Sequence, residues 1–120
     1  MEINKRELGA QYEDKAARYL ESKGIRILKR NFRNRFGEID IIGFDRNTYL
    51  FIEVKYRKDN RFGEPACAVN LKKQRTICKI ADYYRVCHHI GENRACRFDV
   101  IAICGEEIEW YENAFLYIGK

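Results

Sequence analysis

The sequence predicts an α/β domain in which a mixed β-sheet is flanked by helices, and two observations lead to that prediction. Two long segments carry apolar residues at helical spacing, whereas five shorter segments are rich in β-branched and aromatic residues. The segments follow one another in the order α-β-β-β-α-β-β, which is typical of an α/β core with a mixed sheet. A length of 120 residues with a single proline fits one domain spanning residues 1–120.

The first helix is predicted over residues 4–23. Asn4 is a suitable N-cap, Glu7 stands three residues later as in a capping box, and Gly24 ends the helix. The apolar residues that recur at helical spacing, and that we expect to face the core, are Leu8, Tyr12, Ala16, Tyr19 and Leu20.

Three strands follow this helix, and we predict them over residues 25–33, 37–44 and 48–57. The segment from Asp45 to Thr48 is predicted to form the turn between the second and third strands, although it lacks the strong Asn-Gly signal. Residues 58–64 are polar and favour a loop, and Pro65 favours a short helical turn after it.

A helix and two strands are predicted for the rest of the chain. Asn70 is a suitable N-cap for a second helix over residues 71–89. A strongly apolar strand is predicted over residues 96–104, and Gly105 turns the chain toward a final strand near residues 108–111.

Charge is distributed unevenly along a chain whose net charge is +5. Residues 26–79 hold fourteen Lys and Arg residues against six Asp and Glu residues. Residues 98–120 hold one Lys against five acidic residues. A basic middle segment favours a polyanionic partner, and we expect nucleic acid.

The remaining composition predicts a cytoplasmic protein with no membrane partner. No uncharged run approaches the roughly 18 residues that a spanning helix needs. Residues 1–7 lack the apolar region of a secretory signal. The cysteines are odd in number and form no Cys-x-x-Cys pair, which favours reduced cysteines, most of them in the core, over a disulfide framework or a zinc site: Cys67, Cys78, Cys87, Cys96 and Cys104.

The strongest chemical signal is a pair of acids on the second and third predicted strands. In the register of the predicted turn, Asp40 lies directly opposite Glu53, and Glu38 lies opposite Lys55. Two opposed carboxylates repel one another unless a hard divalent cation such as Mg²⁺ lies between them. Lys55 would then hold a water molecule or a phosphate oxygen, as phosphodiester hydrolysis requires. The alternative is a lattice of exposed ion pairs, but the apolar neighbours of these residues indicate central strands.

The spacing of these residues resembles that of a nuclease superfamily. Asp40, a gap of twelve residues and then Glu53-Val54-Lys55 are similar to the Asp…(Asp/Glu)-x-Lys signature of the restriction-endonuclease-like, or PD-(D/E)XK, nucleases. A closer likeness, to the YraN-type family (UPF0102), covers nearly the whole chain. It rests on Tyr12-Glu13, Asn31-Phe32-Arg33, Gly37-Glu38-Ile39-Asp40, Phe51-Ile52-Glu53-Val54-Lys55, Gly63-Glu64-Pro65, Lys73-Gln74 and Arg97-Phe98-Asp99-Val100.

The resemblance implies a fold similar to that of archaeal Holliday-junction resolvases, with a restriction-endonuclease-like α-β-β-β-α-β core. It also implies that Asp40 and Glu53 bind Mg²⁺ or Mn²⁺, that Lys55 is the catalytic lysine, and that Glu13 completes the site from the first helix. The chain departs from the expected pattern at three positions, where proline, glycine and threonine are expected: Ile39, Tyr12 and Tyr56.

Helical spacing also supports a role for Glu13. Its neighbours three and four positions away are Gly9, Ala16 and Ala17, which are small enough to let the helix approach a sheet closely. The alternative is a glutamate that extends from the margin of this stripe into solvent. We expect Glu38 to support the site rather than to bind the metal.

Cations and aromatic residues around these acids are the candidate nucleic-acid contacts. Lys72 and Lys73 begin the second helix, whose N-terminal amides favour phosphate. Gln74 resembles a helix residue that several related nucleases place near metal or substrate. The flanking arginines, interleaved with aromatic residues that could stack on bases, are Arg33, Arg35, Arg57 and Arg61. A solvated surface is the alternative for each of these residues.

These observations predict a Mg²⁺-dependent endonuclease acting on DNA, with branched or repair-related DNA as the expected substrate. The alternative is a non-catalytic nucleic-acid-binding module that keeps the nuclease fold. A third hypothesis is a protein-interaction scaffold. Its aromatic C-terminal segment either fills the core or forms a homodimer surface, and comprises Trp110, Tyr111, Phe115 and Tyr117.

Overall fold

A five-stranded sheet lies between two helices in the computed structural model, which describes residues 4–57 and 69–119. The helices are α1 (Lys5–Ser22) and α2 (Leu71–Cys87). The strands are β1 (Arg26–Asn34), β2 (Gly37–Asp45), β3 (Thr48–Tyr56), β4 (Ala95–Cys104) and β5 (Glu107–Phe115). The predicted mixed α/β architecture and the predicted order of elements are confirmed for these residues.

Both helices begin at the predicted asparagine caps. The Asn4 side chain accepts a hydrogen bond from the N–H of Glu7, and the Asn70 side chain accepts one from the N–H of Lys73, each at 2.8 Å. A cap of this kind contributes about 1 kcal/mol. Gly24 follows α1 with a φ of 88°, a left-handed conformation that glycine adopts without strain and that turns the chain toward β1.

The strands lie in the order β1-β2-β3-β4-β5, with β3 parallel to β4 and the other neighbours antiparallel. The chain between β3 and β4 includes α2, as a connection between parallel strands requires. Asp45 pairs with Thr48 as predicted. Arg46 and Asn47 form the turn between them with φ values of 48° and 72°, the positive pair that a tight hairpin favours.

Each face of the sheet packs against one helix, so the domain has three layers. On one face, Ala16, Ala17 and Leu20 of α1 are buried against β-strand residues such as Ile41 and Ile52. The opposite face is covered by α2, and its main contacts are Ile42, Phe51, Ile77, Ile80 and Val100. Burial on both faces explains why β2, β3 and β4 are nearly continuous apolar runs.

The final strand extends to Phe115, beyond the predicted end near residue 111. The prediction stopped at two polar residues, but Asn113 adopts a φ of 55° and donates its N–H to the fully buried carboxylate of Asp99 at 2.8 Å. Asp99 also accepts hydrogen bonds from Arg97 and from the indole N–H of Trp110, each at 2.9 Å. A buried acid on β4 therefore holds the polar end of β5 in the sheet.

Several predictions fall outside the described residues. They are the polar loop over 58–64, the helical turn at Pro65, the core position of Cys67 and the nucleic-acid contact at Arg61. Cys78, Cys87 and Cys96 are free thiols. Neither helix in the described part of the chain combines the length and the apolar character needed to cross a membrane.

Candidate active site

β2 and β3 separate at the level of Asp40 and Glu53. Their ladder runs from the Asp45–Thr48 pair to the Ile41–Ile52 pair and, among the described residues, goes no further. The same register would next place Asp40 opposite Glu53. There, Asp40 Oδ2 instead accepts a hydrogen bond from the backbone N–H of Val54 at 2.8 Å. A side chain thus replaces the backbone partner, which orients the Asp40 carboxylate and leaves its second oxygen for another contact.

The regular alternation of side chains fails at this point of β2. Ile39 and Ile42 pack in the core on the α2 face, whereas Ile41 packs on the α1 face. The predicted opposition of Glu38 to Lys55 is therefore wrong, because it assumed that regular pairing continues to the end of both strands. Glu38 forms an ion pair with Arg33 of β1 instead, with Arg33 Nε 2.9 Å from Glu38 Oε2.

Glu53 is a buried acid beside another acid. Its side chain is 8% exposed, and burial together with direct contact with Asp40 raises the pKa of Glu53 to about 9. Lys73 Nζ lies 3.4 Å from Glu53 Oε2 and opposes this rise, as does the charge of Lys55. Glu53 Oε2 nevertheless accepts no hydrogen bond. The pair therefore needs a proton or a further cation in order to be stable.

Glu13 faces the same acids from α1. Burial and the charge of Asp40 raise the pKa of Glu13, whereas a hydrogen bond with Asn31 lowers it. Glu13 Oε1 is a second buried carboxylate oxygen without a hydrogen-bond partner. The small residues Ala16 and Ala17 are buried as predicted, which brings this turn of α1 close to the sheet.

A cavity of about 520 Å³ joins these three acids. Its other walls come from α1 and from the end of β3, and the full lining is Leu8, Gly9, Tyr12, Glu13, Asp40, Glu53, Val54 and Tyr56. Tyr12 and Tyr56 stack on each other with ring centroids 4.2 Å apart and planes inclined by 22°. The acids are therefore accessible from a pocket with an aromatic wall.

The two lysines of the site differ in what they contact. Lys73 lies in the first turn of α2 and forms its ion pair with Glu53. Lys55 follows Glu53 by two positions on β3, and its charge lowers the pKa of Glu53. Lys73 was predicted to contact phosphate at the start of the helix. The structure places it nearer to the acids than that prediction, in direct contact with Glu53.

The other predicted nucleic-acid contacts in the described part of the chain differ in their surroundings. Arg33 is tied to Glu38 but remains 72% exposed, and Arg35 lies with its guanidinium carbon 5.0 Å from the centre of the exposed Phe36 ring. Lys72 is exposed and Arg57 is half-buried. Gln74 Nε2 donates a hydrogen bond to the backbone oxygen of Val69 at 2.8 Å, which holds that amide against its own helix.

The carboxylates of this site meet only some of the requirements of a hard divalent cation. Within residues 4–57 and 69–119, no three His, Cys, Asp or Glu side chains are gathered closely enough to hold a metal ion. Mg²⁺, however, commonly binds through one or two carboxylates and completes its shell with water and substrate phosphates. Asp40 and Glu53 supply such a pair, and the buried oxygens of Glu53 and Glu13 that accept no hydrogen bond are the atoms that a cation would satisfy.

Two contacts at the site were missed by sequence reasoning. Asn31 contacts Glu13 from a left-handed position in β1, with a φ of 53°. Asparagine is enriched in that conformation, so an asparagine within a strand was the available signal. The contact between Tyr12 and Tyr56 had no local signal, because it joins α1 to β3 across 44 positions of the sequence.

Comparison with known proteins finds similarity over almost the full chain. The model of a family described as "Uncharacterised protein family UPF0102" matches residues 12–103. A UPF0102 protein of Lachnoclostridium phytofermentans is 42% identical over 113 residues, which cover 94% of this chain and 96% of the relative. One from Thermodesulfovibrio yellowstonii is 48% identical over 109 residues, 91% of this chain and 96% of the relative. One from Fusobacterium nucleatum is 42% identical over 111 residues, 92% of each.

Proposed function

The chain belongs to the UPF0102 family, and from its acidic site we propose that it is a Mg²⁺-dependent endonuclease that hydrolyses phosphodiester bonds in DNA. The observation that carries the proposal is the pair of buried carboxyl groups, Asp40 and Glu53, at the point where β2 and β3 separate. Two buried carboxyl groups in contact destabilise a fold unless a proton or a cation neutralises them, and such pairs are typical of functional sites. A divalent cation that also binds a phosphate would neutralise both groups.

Each residue of the site has a definable role in this proposal. Asp40, oriented by the Val54 N–H, and Glu53 would hold the cation. Lys55 would orient the attacking water or stabilise negative charge on the phosphate, and Glu13 would hold a second water or a second cation from α1. When bound, Mg²⁺ or Mn²⁺ would supply a water of lowered pKa and charge stabilisation on the phosphate.

We also propose that the α1-β1-β2-β3-α2-β4 part of the domain is a restriction-endonuclease-like core, similar to that of archaeal Holliday-junction resolvases. Support comes from the Asp40…Glu53-Val54-Lys55 spacing on two antiparallel strands, with α2 leading to a parallel β4. The acids of that spacing lie where the β2–β3 pairing ends, between the N-terminal halves of both helices.

The surface charge supports a polyanionic substrate. Arg33 and Arg35 extend from the β1–β2 hairpin, and Lys72 and Lys73 lie in the first turn of α2. Helix N-termini and basic side chains both favour phosphate groups. Branched or repair-related DNA is the substrate to test first, beside duplex, single-stranded and flap substrates.

Asp40→Asn tests the proposal because it keeps the shape of the side chain and removes its negative charge. Cleavage with Mg²⁺ or Mn²⁺ should fall by about 100-fold or more, since several kcal/mol of charge stabilisation are lost. Asp45→Asn, five residues away at the other end of the same strand, is the matched control and should cut as the wild type does. Cleavage that Asp40→Asn leaves intact would show that the acids are not the active site.

A second candidate function is a nucleic-acid-binding module that keeps this fold without turnover. The Lys73–Glu53 contact favours it, because the lysine already places a positive charge beside the acid pair. A chain that binds DNA tightly at low salt but cuts no substrate with either metal would support this candidate. Lys55→Ala separates the two further, because it should suppress cleavage while weakening binding only slightly.

A further inference from the structure

The cavity beside the acids has walls of two chemical kinds. Its floor is formed by the carboxyl groups of Glu13, Asp40 and Glu53, whereas Tyr12 and Tyr56 form an aromatic wall. The proposed hydrolysis needs the carboxyl groups, which would hold a cation that binds the phosphate, but it does not need the aromatic wall. At about 520 Å³ the cavity has the size of a small-molecule site, and its aromatic side fits a flat organic group.

The aromatic wall is preformed. The stacked rings of Tyr12 and Tyr56 limit each other's rotation, and Tyr56 remains 39% exposed at the rim of the cavity. An aromatic surface that is held in place loses little conformational entropy when a nucleobase stacks on it. Stacking of a base on an aromatic side chain typically changes affinity by about 5- to 150-fold.

A second cavity adjoins this one along α1. The neighbouring space, of about 450 Å³, is lined by Arg6 and by the Arg33–Glu38 ion pair, and the two spaces share Gly9 and Glu13. A Cβ placed on Gly9 would meet no atom within 4 Å, so the space beside this shared residue is open. We call the combined space the α1 groove. Along the groove, the aromatic wall is followed by the acidic floor and then by Arg6 and Arg33, whose charges suit flanking phosphates.

We propose that the α1 groove binds an unpaired strand, with one nucleobase stacked on the Tyr12–Tyr56 wall and the flanking phosphates near Arg6 and Arg33. This inference rests on the proposed function and narrows its substrate to single-stranded or locally unpaired DNA. Bases in a continuous duplex face each other, so they cannot reach such a wall without leaving the stack.

The test is equilibrium binding in an Asp40→Asn background, which prevents cleavage from disturbing the measurement. Fluorescence anisotropy compares one sequence as a single strand and as a duplex, and a 2-aminopurine base in the single strand reports stacking. Tyr56→Thr should weaken single-strand binding by about 5- to 150-fold and reduce the change in 2-aminopurine fluorescence. Tyr83→Thr, an equally drastic change of an exposed tyrosine on α2, is the matched control and should do neither.

Gly9→Leu is an independent probe that fills the groove instead of removing its wall. Leucine favours helix more than glycine does and meets open space at this position, so the fold should be retained, as a thermal melt would verify. Single-strand binding should fall while duplex binding stays unchanged. Equal losses for both substrates, or no loss in either variant, would overturn the inference.

These binding measurements, together with cleavage assays in which Asp40 is retained, separate this inference from the proposed function. Single-strand binding that depends on Tyr56, in a protein that cuts nothing, would support the groove and overturn the endonuclease. Metal-dependent cleavage of continuous duplex that is indifferent to Tyr56 would support the endonuclease and overturn the groove.

Discussion

Replacing Glu53 with glutamine should make the metal-free protein more stable at neutral and alkaline pH. The pKa of Glu53 is raised from 4.5 to about 9 in the folded protein by burial and by Asp40. Between these two pH values the folded state retains a proton that the unfolded state has released, so stability falls as the pH rises. The slope is about 1.4 kcal/mol per pH unit for one proton, which gives at most about 4 kcal/mol between pH 5.5 and 8.5.

Urea denaturation at pH 5.5, 7 and 8.5 in a metal chelator measures this effect. The quantity of interest is the difference in unfolding free energy between wild type and Glu53→Gln, since other titrating groups contribute equally to both. That difference should grow in favour of the variant as the pH rises. Glu92→Gln, which removes an exposed carboxylate from the α2–β4 connection, is the control and should follow the wild type.

Addition of Mg²⁺ provides the second half of the test. A cation at Asp40 and Glu53 replaces the retained proton, so saturating Mg²⁺ should stabilise the wild type at pH 8, by about 2.7 kcal/mol at 100 times the dissociation constant. Glu53→Gln should gain little. The reasoning would be refuted by equal pH dependence in wild type and variant, or by equal stabilisation of both by Mg²⁺.

Three further predictions concern charge and packing. Arg33→Ala combined with Arg35→Ala should reduce the slope of log affinity against log salt by up to about 1.8, and an unchanged slope would exclude both arginines from the DNA interface. Asp99→Ala should lower the unfolding free energy by about 3–5 kcal/mol in urea denaturation, because Arg97 and two N–H donors lose their buried partner. Gly43→Ala should cost about 1–3 kcal/mol, since its Cβ would lie 2.9 Å from Ile25 Cγ2, whereas Gly9→Ala should not be destabilising.

The fold was largely predictable because its elements carry local signals. Asn4 and Asn70 mark both helix starts, and the turn from Asp45 to Thr48 sets the register of the central hairpin. β5 was predicted too short because its last residues are polar. The contact that keeps them in the sheet is a hydrogen bond between Asn113 and Asp99, fourteen residues away, which no local pattern reveals.

The sequence predicted that Glu13, Asp40 and Glu53 lie close together, but it did not predict the geometry of their contacts. The register set by the turn correctly predicts the β2–β3 pairing as far as Ile41 and Ile52, where the ladder ends. Beyond that point the Asp40 carboxylate takes the N–H of Val54, and a rule of regular alternation no longer describes the strands. The register of a hairpin predicts which residues face each other only where the two backbones are hydrogen-bonded to each other. The prediction fails where a side chain accepts the hydrogen bond of a backbone N–H instead.

Neutralisation of the Glu53 carboxyl links the stability of this domain to its proposed function. A retained proton and the nearby Lys73 both offset the charge of the Glu53 carboxyl, and a divalent cation could replace both. Metal binding below pH 9 would therefore release up to one proton and weaken the contact with Lys73, so metal affinity should rise with pH. A lysine freed from Glu53 at the N-terminus of α2 is then available to a phosphate. In the proposed reaction, metal and nucleic acid would consequently assist each other's binding through Glu53 and Lys73.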